Sequence, residues 1–417
     1  MVNDAEGEMT ENVSKCRSCG GIGLETVLDL GKTPLADALL TEEELGRPEP
    51  EYPLKAVFCR DCTLVQILET VPPEELFCRR YPYYSSFSDE LLRHSRENAL
   101  ELMETRRLDE QSLVVEIASN DGYLLRNFVR KGIPCLGIDP AEGPAEAAER
   151  AGVPTHCAFF NAELAGKLRR MGKRADVVIA NNVLAHVADS GSFLDGIRIL
   201  LKDDGVAVIE APYVRELVDK CEFDTIYHEH LCYFSATSVD RLLRSRGLFL
   251  NSVRRIPIHG GSLRLYIGLR DEPDASATGL LEEEKRDGVD GFSYYNDFAI
   301  KAENIKNGLR LMLKILKDGG NRIAAYGAAA KGATLLNYTG IGSDFIDFVV
   351  DRNIHKQGLY MPGKRIPIFA PEKLLEKRPD YVLILAWNFA SEIISQQEAY
   401  RAAGGKFIVP IPEWKVT

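Results

Sequence analysis

Residues 112–125 read SLVVEIASNDGYLL, an apolar run followed by a short polar loop and a second apolar stretch. The first seven residues are typical of a strand that is buried on both faces. The loop then ends the strand, and the apolar positions of YLLRNFVRKG recur at helical spacing. This stretch therefore predicts the first strand–loop–helix unit of a parallel sheet.

The same alternation continues towards the C-terminus. Apolar runs predict further strands at PCLGIDP, PTHCAFF, ADVVIAN and GVAVIEAP, with helical stretches between them. Five strands joined by helices imply a mostly parallel, doubly wound sheet, which binds ligands at the carboxyl ends of its strands. After a predicted helix over residues 234–247, two apolar runs around IHGG predict a closing hairpin.

The loop after the first strand is the first candidate ligand site. It resembles the S-adenosylmethionine loop of class I methyltransferases, (D/E)xGxGxG, but only Gly122 stays glycine, and Ala118 and Asn120 fill the other two positions. A dinucleotide loop needs those glycines for close approach of a pyrophosphate, so the sequence favours S-adenosylmethionine over NAD. The residues expected to bind the cofactor are Glu116, Ala118, Asn120, Asp121, Gly122, Asp139, Asn181 and Asn182.

Two of these positions have more specific expectations. Asp139 ends the second strand, where it is expected to accept ribose hydroxyl groups, to cap the next helix, or to do both. Asn181 and Asn182 end the fourth strand, where an amide or backbone group is expected to meet the methionine portion of the cofactor.

Four cysteines near the N-terminus form two CxxC pairs, Cys16 with Cys19 and Cys59 with Cys62. Four thiolates from two tight turns are the ligands of a closed tetrahedral zinc site, which has no open position for catalysis. We therefore expect a structural zinc ion that lets a small N-terminal module fold.

The composition of the 417-residue chain is that of a globular protein, with 45% hydrophobic and 27% charged residues. Its net charge of −11 argues against nucleic acid as a partner. Because it has no membrane-spanning apolar run and no signal-peptide pattern, we expect a cytoplasmic protein without a membrane partner, as a monomer or weak homo-oligomer.

A second, smaller α/β unit is predicted at the C-terminal end. Residues 275–320 have the pattern of one long connecting helix, and strands follow at RIAAY, FIDFVVD, DYVLILAWN and KFIVPI. In the loop YGAAAKG, Lys331 and the backbone N–H groups are expected to bind a phosphate, although an ordinary strand-to-helix turn is the alternative. Asp351, Trp387 and Asn388 are expected to hold the rest of a nucleotide at the same edge.

Several motifs occur in a fixed order: CRSCG, LDLGKTPLADALL, FCRDCTLVQ, YPYYSSFS, EIASNDGYLL, TIYHEHLCYFSATS, PIHGG, YGAAAKGATLLN and AWNFA. Along almost its full length the chain therefore resembles the sugar C-methyltransferases that branch nucleotide-linked deoxysugars. The resemblance implies methyl transfer from S-adenosylmethionine to C3 of a 4-keto-deoxysugar, usually carried on dTDP. The implied units are a zinc module (residues 1–72), a class I methyltransferase domain (73–270) and a Rossmann-like nucleotide-sugar domain (271–417).

The resemblance also implies an active-site set, and it makes His228 the less suitable catalyst because the family tolerates Asp there. The implied set is Tyr81, His186, Tyr227, Glu229 and His230. A carbon next to a ketone must lose a proton before it attacks a methyl group, so the site needs a base and a donor to the enolate oxygen.

His230 is our candidate for the base, with Tyr227 assisting, although the two roles can be reversed. Glu229 is expected to orient or support His230, Tyr227 or His186 to donate to the enolate oxygen, and Tyr81 to line the sugar face. The spacing of the histidines in YHEH is not that of HExxH, and a second zinc site here would lack two ligands. Residues 81–86 are interpreted as a substrate lid, with an exposed loop as the alternative, and the expected sugar contacts are Tyr83, Ser85 and His259.

Two other functions remain open. An O- or N-methyltransferase for a small metabolite or a sugar amine would use the same middle domain, but it needs less base chemistry and no second nucleotide domain. A zinc-containing scaffold without activity would leave the histidine cluster without a purpose.

Overall fold

The computed structural model describes residues 11–12, 14–77 and 83–417. Tyr81 lies outside these residues, so its place at the sugar face stays a prediction. The described chain forms three successive α/β or β units, and the predicted fold class is confirmed: a class I methyltransferase core lies between a small N-terminal module and a C-terminal α/β unit.

The N-terminal module is a small antiparallel sheet built around the two cysteine pairs. Its elements are β1 Glu11–Asn12, β2 Leu24–Thr33, β3 Tyr52–Cys59, β4 Val65–Ile67, β5 Glu69–Thr70 and α1 Pro73–Phe77. Strands β2, β3 and β4 pair in sequence order, and β1 pairs with β5.

The middle unit contains the predicted series of strands and helices. Its elements are α2 Asp89–Thr105, β6 Val114–Ile117, α3 Arg126–Val129, β7 Cys135–Asp139, α4 Glu142–Arg150, β8 Thr155–Cys157, α5 Ala162–Arg170, β9 Ala175–Asn181, α6 Ser190–Leu200, β10 Leu201–Pro212, α7 Val214–Asp219, β11 Cys232–Tyr233, α8 Ala236–Arg244, β12 Phe249–Ile256 and β13 Ser262–Gly268. The helix predicted over YLLRNFVRKG is shorter than expected, because Tyr123, Leu124 and Leu125 pack into the core before α3 begins.

The sheet of the middle unit has the strand order β12-β13-β10-β9-β6-β7-β8. Strands β8, β7, β6, β9 and β10 run parallel to one another, and β13 is antiparallel to both of its neighbours. The predicted closing hairpin is thereby confirmed. The order reverses between β6 and β9, and the carboxyl ends of these strands form the edge where such sheets bind ligands.

The C-terminal unit is a six-stranded sheet of order β16-β15-β14-β17-β18-β19. Its elements are α9 Ala275–Asp287, α10 Phe298–Asp318, β14 Ile323–Tyr326, α11 Ala330–Thr339, β15 Val349–Val350, β16 Ile368–Phe369, α12 Lys373–Lys377, β17 Tyr381–Ile384, α13 Ala390–Gln396, α14 Glu398–Ala402, β18 Lys406–Val409 and β19 Lys415–Val416.

The single long helix predicted over residues 275–320 is wrong. Gly288 takes a left-handed backbone conformation (φ 76°) and ends α9, which packs on α8 and β12 of the middle unit. A short 3-10 turn with the buried Tyr295 then leads into α10. Helical spacing alone cannot distinguish one helix from two that are joined by such a turn.

Strand β11 connects the middle unit to the N-terminal module. Cys232 and Tyr233 come directly after the YHEH segment and pair with Gln66 and Val65 of β4. The candidate catalytic segment is therefore attached by backbone hydrogen bonds to the sheet of the cysteine module. Within the described residues, no helix combines the length and the apolar character that crossing a membrane requires.

Candidate active site

The loop between β6 and α3 has an unusual backbone. Ala118, Asn120 and Gly122 all have positive φ angles, 56°, 49° and 73°. These are the three positions at which the class I methyltransferase pattern has glycine. Because a left-handed conformation costs a residue with a Cβ atom roughly 1–2 kcal/mol, the loop keeps the shape of the glycine-rich pattern at a cost in stability.

The exchange of Gly122 for alanine is expected to weaken cofactor binding about tenfold or more. A Cβ atom there would lie 2.9 Å from Cγ2 of Val153 and would also sit in the left-handed region, so the loop must shift. Calorimetric titration with S-adenosylhomocysteine measures the change. Gly132→Ala is the matched control, since Gly132 also has a positive φ (71°) but open space beside it. Equal affinity in the two variants would contradict the prediction.

Several polar atoms at the carboxyl ends of β6 and β9 are buried and have no hydrogen-bond partner among the described residues. They are Oε1 and Oε2 of Glu116, Oγ of Ser119, Oδ1 of Asp121, Oδ1 of Asn181 and Oδ1 of Asn182. Buried polar atoms without partners are costly, and acceptors such as these suit the hydroxyl and ammonium donors of S-adenosylmethionine. The residues present therefore fit this cofactor.

Burial and the nearby carboxylate of Asp139 raise the pKa of Glu116 well above its usual value. Burial also raises the pKa of Asp139 to about 6. The Asp139 carboxylate accepts the N–H groups of Ala141 at 2.9 Å and Asn120 at 2.8 Å. These contacts hold the turn before α4, whose N-cap residue is Ala141 and has no side-chain cap, so the predicted capping role of Asp139 is wrong. A contact of Asp139 to ribose stays a prediction.

Asn120 has a role that the sequence did not indicate. Its side-chain oxygen accepts the N–H of Ser85 at 2.9 Å, and its side-chain nitrogen donates to the carbonyl of Tyr83 at 3.2 Å. The N–H of Ser86 likewise donates to Oδ2 of Asp121 at 3.2 Å. The described part of the proposed lid, residues 83–86, therefore lies on the cofactor loop, and the Asn120 side chain is engaged there rather than with a ligand.

Tyr227 and His230 form a hydrogen-bonded pair. Nδ1 of His230 lies 2.8 Å from the carbonyl oxygen of Thr225, so Nδ1 carries the proton and donates it. Nε2 is then an acceptor, and the Tyr227 hydroxyl donates to it at 2.9 Å. Both side chains are half-buried, whereas most residues around them in the segment are buried.

The environment keeps both members of this pair neutral. Burial lowers the pKa of His230 well below its usual value, and the nearby His186 ring adds to this effect. Burial and the Glu229 carboxylate raise the pKa of Tyr227 well above its usual value. At neutral pH Nε2 of the imidazole is therefore unprotonated, and its electron pair accepts the hydrogen bond from Tyr227.

His186 lies beside this pair, as expected. Its ring meets the His230 ring edge-on at 4.8 Å between centroids, and its Nδ1 is buried without a partner among the described residues. Burial lowers the pKa of His186 to about 4.

His228 does not join this group. Its Nε2 lies 3.1 Å from the carbonyl oxygen of Pro53, and this contact connects the segment to β3.

Glu229 is not the hydrogen-bond partner of His230, because Thr225 and Tyr227 occupy both ring nitrogens. It belongs instead to a cluster that all three units build. Lys356 of the C-terminal unit lies 3.7 Å from Asp37 of the N-terminal module. Burial raises the pKa of Glu229 and of Asp37, and Lys356 opposes the shift in both.

A second buried polar cluster surrounds Lys331. Its ammonium group donates to Oδ1 of Asn388 at 2.9 Å and lies 4.5 Å from the ring centre of Trp387. Nε1 of Trp387 donates to Oδ2 of Asp224 at 2.7 Å. Burial raises the pKa of Asp224 and of Glu222 to about 7, although Lys331 opposes the shift in both.

His259 and Asp351 were also predicted to contact the substrate. His259 has a positive φ (58°), its ring meets Phe389 at 6.1 Å, and burial lowers its pKa to about 4. Asp351 accepts the N–H groups of Ala328 and Asn353, so its carboxylate holds the loop before α11.

A third group, His94, Glu210 and Arg264, was missed by the sequence analysis. Glu210 lies two residues before the end of β10. His94 Nε2 lies 2.9 Å from its carboxylate, and Arg264 Nε donates to the carboxylate at 2.7 Å. Burial opposes ionisation of Glu210, but these two partners hold its pKa below the usual value. Arg264 faces Glu210 across the β10–β13 register, which no local pattern reveals.

The four predicted zinc ligands come together in the N-terminal module. Their Sγ atoms all lie within 4.8 Å of one another, with Cys16 to Cys62 at 3.4 Å and Cys19 to Cys59 at 3.6 Å. A tetrahedral zinc site with Zn–S bonds of about 2.3 Å has S–S edges of about 3.8 Å, so the donor set fits the ion.

Three family models match consecutive parts of the chain. They describe a zinc binding domain over residues 16–77, a methyltransferase domain over 85–253 and a C-methyltransferase C-terminal domain over 257–412. Among solved structures, magnesium protoporphyrin IX methyltransferase from Synechocystis PCC 6803 aligns with a TM-score of 0.32 at 13% identity, covering 43% of this chain and 82% of that one.

Relatives with curated functions are also methyltransferases. The ubiquinone biosynthesis O-methyltransferase of Azorhizobium caulinodans is 31% identical over 125 residues, which is 29% of this chain and 47% of that protein. C-methyltransferase NovU of Streptomyces niveus is 36% identical over 412 residues, which is 98% of each chain. The chain therefore belongs to the C-methyltransferase family, and it is an S-adenosylmethionine-dependent enzyme with an N-terminal zinc-binding module.

Proposed function

We propose that this enzyme methylates C3 of a nucleotide-linked 4-keto-deoxysugar, with dTDP as the carrier. The observation that carries the proposal is the Tyr227–His230 pair, in which Nε2 of His230 is an unprotonated acceptor that only the Tyr227 hydroxyl covers. Methylation of a hydroxyl or amine needs less assistance, because oxygen or nitrogen already has a nucleophilic electron pair. A base in this place supports attack by carbon instead.

The chain's own residues would supply the proton chemistry. His230 Nε2 takes the proton from C3, and the electrons of the C–H bond move into an enolate with the C4 ketone. The Tyr227 hydroxyl turns from Nε2 and donates to the enolate oxygen, with His186 beside it. S-adenosylmethionine, held by the acceptors at the ends of β6, β7 and β9, supplies an electrophilic methyl group on a sulfonium sulfur. The enolate carbon would take this methyl group, and the electrons of the broken S–CH3 bond would stay on sulfur.

The C-terminal unit is proposed to hold the nucleotide, and the sugar reaches the middle unit. The proposed substrate contacts are Tyr83, Ser85, His259, Lys331, Asp351, Trp387 and Asn388. Support comes from the contacts of Lys331 with Asn388 and Trp387 and from the buried carboxyl groups of Asp37 and Glu229, which can accept hydrogen bonds from sugar hydroxyl groups. The unit boundaries at residues 72/73 and 270/271 belong to the same proposal.

Product analysis tests the proposal directly. The enzyme is incubated with a dTDP-4-keto-deoxysugar and S-adenosylmethionine labelled with ¹³C in its methyl group, and the product is examined by NMR. We expect the label on C3. In deuterated water with S-adenosylhomocysteine, C3 is expected to exchange its proton without methylation. Label on oxygen or nitrogen would favour the O- or N-methyltransferase alternative, and neither labelling nor exchange would overturn the proposal.

A further inference from the structure

The tautomer of His230 depends on one backbone carbonyl group. The oxygen of Thr225 accepts the Nδ1 proton at 2.8 Å, and this contact leaves Nε2 as the acceptor. Thr225 ends the 3-10 turn Phe223–Thr225, and its hydroxyl group donates to the carbonyl of Glu222 at 2.7 Å. A displaced turn would therefore free the imidazole to rotate or to change tautomer, and the wrong tautomer disables a histidine base.

The same turn is fastened to the C-terminal unit through Asp224. This side chain is fully buried, and its Oδ2 accepts a hydrogen bond from the indole nitrogen of Trp387 at 2.7 Å. Phe223, the preceding residue, packs edge-on against Tyr338 of α11 at 5.1 Å between ring centres. Both contacts join the turn to elements of the C-terminal unit.

The free-energy cost of burying Asp224 indicates that its hydrogen bond orients the turn rather than stabilises the fold. Burying a carboxylate opposes folding, and a hydrophobic side chain in the same place is often as stable or more stable. Here the carboxylate is kept, with Trp387 as donor and with Lys331 against the indole ring at 4.5 Å. An arrangement of this kind orients a group more narrowly than apolar packing does, because a hydrogen bond defines direction as well as distance.

We propose that Asp224 is a positioning residue for His230. Trp387 holds Asp224, Asp224 holds the turn, and Thr225 at the end of the turn holds the imidazole in the Nδ1–H tautomer. The C-terminal unit would then control proton removal in addition to binding substrate. The kinetic part of this inference rests on the proposed function, whereas the tautomer of His230 can be tested without any substrate.

The first test observes the imidazole itself. The protein is labelled with ¹⁵N-histidine, and the His230 signals, among those of seven histidines, are identified by their loss in His230→Gln. We expect the wild type to show a protonated Nδ1 and a bare Nε2. Asp224→Asn, which keeps an acceptor oxygen, is expected to match it, whereas Asp224→Ala and Trp387→Phe shift both nitrogens towards a mixture of tautomers. Wild-type nitrogen shifts in the last two variants would overturn the inference.

The second test measures turnover. In Asp224→Ala, kcat for C3 proton exchange and for methylation is expected to fall together by about 10–100-fold, a larger factor than any rise in KM that follows from the loosened Trp387. Asp224→Asn is expected to restore most of kcat. Trp414→Phe is the matched control, since this second tryptophan lies at the surface with 41% exposure. A rise in KM with unchanged kcat, or an Asp224→Asn variant as slow as Asp224→Ala, would overturn the inference.

The experiments distinguish failure of the proposed sugar methylation from failure of the proposed role of Asp224. If the wild type neither exchanges nor methylates the dTDP-4-keto-deoxysugar, the proposed function fails. In that case the nitrogen shifts still decide whether Asp224 and Trp387 set the tautomer of His230.

Discussion

Replacing His230 by glutamine is expected to lower both C3 proton exchange and methyl transfer on the order of 10³-fold. Glutamine keeps a polar side chain at this position, but its amide has no basic electron pair to take a proton. General-base catalysis contributes roughly 10²–10⁴-fold to enzymatic rates, and removal of the base should cost an amount in this range. Initial rates with labelled S-adenosylmethionine, together with exchange in deuterated water, measure the loss.

His228→Gln is the matched control for this substitution. His228 is buried two residues away, with its Nε2 bound to the carbonyl of Pro53, so its loss should lower the melting temperature and leave the rate per folded molecule within about threefold. Tyr227→Phe separates the two possible roles, because exchange persists at a reduced rate if His230 is the base. Retention of more than a tenth of the exchange rate in His230→Gln would contradict the assignment.

The pH dependence follows from the same assignment. Because burial and His186 lower the pKa of His230, the imidazole stays unprotonated from neutral pH down to its depressed pKa. The rate that depends on this base is therefore expected to be constant across pH 7 and to fall only as the pH drops below the usual histidine value of about 6.5. An acidic limb centred at or above that value would be inconsistent with His230 as a buried base.

The parts of the fold that were predicted correctly depend on local signals. The central parallel strands of the middle unit, β6 and β9, are short apolar runs bounded by turns, and they are buried on both faces of the sheet. The zinc site was also predicted from a local signal, because two CxxC pairs in one small module are the usual spacing of structural zinc ligands. The helix break at Gly288 was missed, because a turn with buried aromatic residues keeps helical spacing on both sides of the break.

The missed parts of the site depend on contacts between units. Asp37, Lys356 and Glu229 are far apart in sequence and come from three different units. Asp224 lies directly before the TIYHEHLCYF segment, but its partner Trp387 is 163 residues away. The sequence around Asp224 therefore did not indicate this contact. Strand β11 has two residues and no periodicity, although it ties the catalytic segment to the cysteine module. Such features follow from tertiary packing, which local patterns do not encode.

Loss of the zinc site is the second large effect that we expect. It should also disturb the catalytic segment, because β11 pairs with β4 of the cysteine module. Cys59→Ser removes one of four ligands from a module whose metal binding is worth about 10–16 kcal/mol in comparable small domains, more than such a module's own folding free energy. We expect less than one equivalent of zinc per chain, a melting transition lowered by at least about 10 °C, and loss of methyl transfer.

Activity should be lost even though no cysteine of the zinc site belongs to the proposed catalytic set. When the module unfolds, β4 no longer pairs with Cys232 and Tyr233, and the segment that carries Tyr227 and His230 loses this backbone support. Zinc content is measured by atomic absorption and compared with turnover in the same sample. Cys157→Ser is the control, since this exposed cysteine on β8 lies outside the four-cysteine cluster. Full zinc occupancy with normal turnover in Cys59→Ser would show that the ion does not support the catalytic segment.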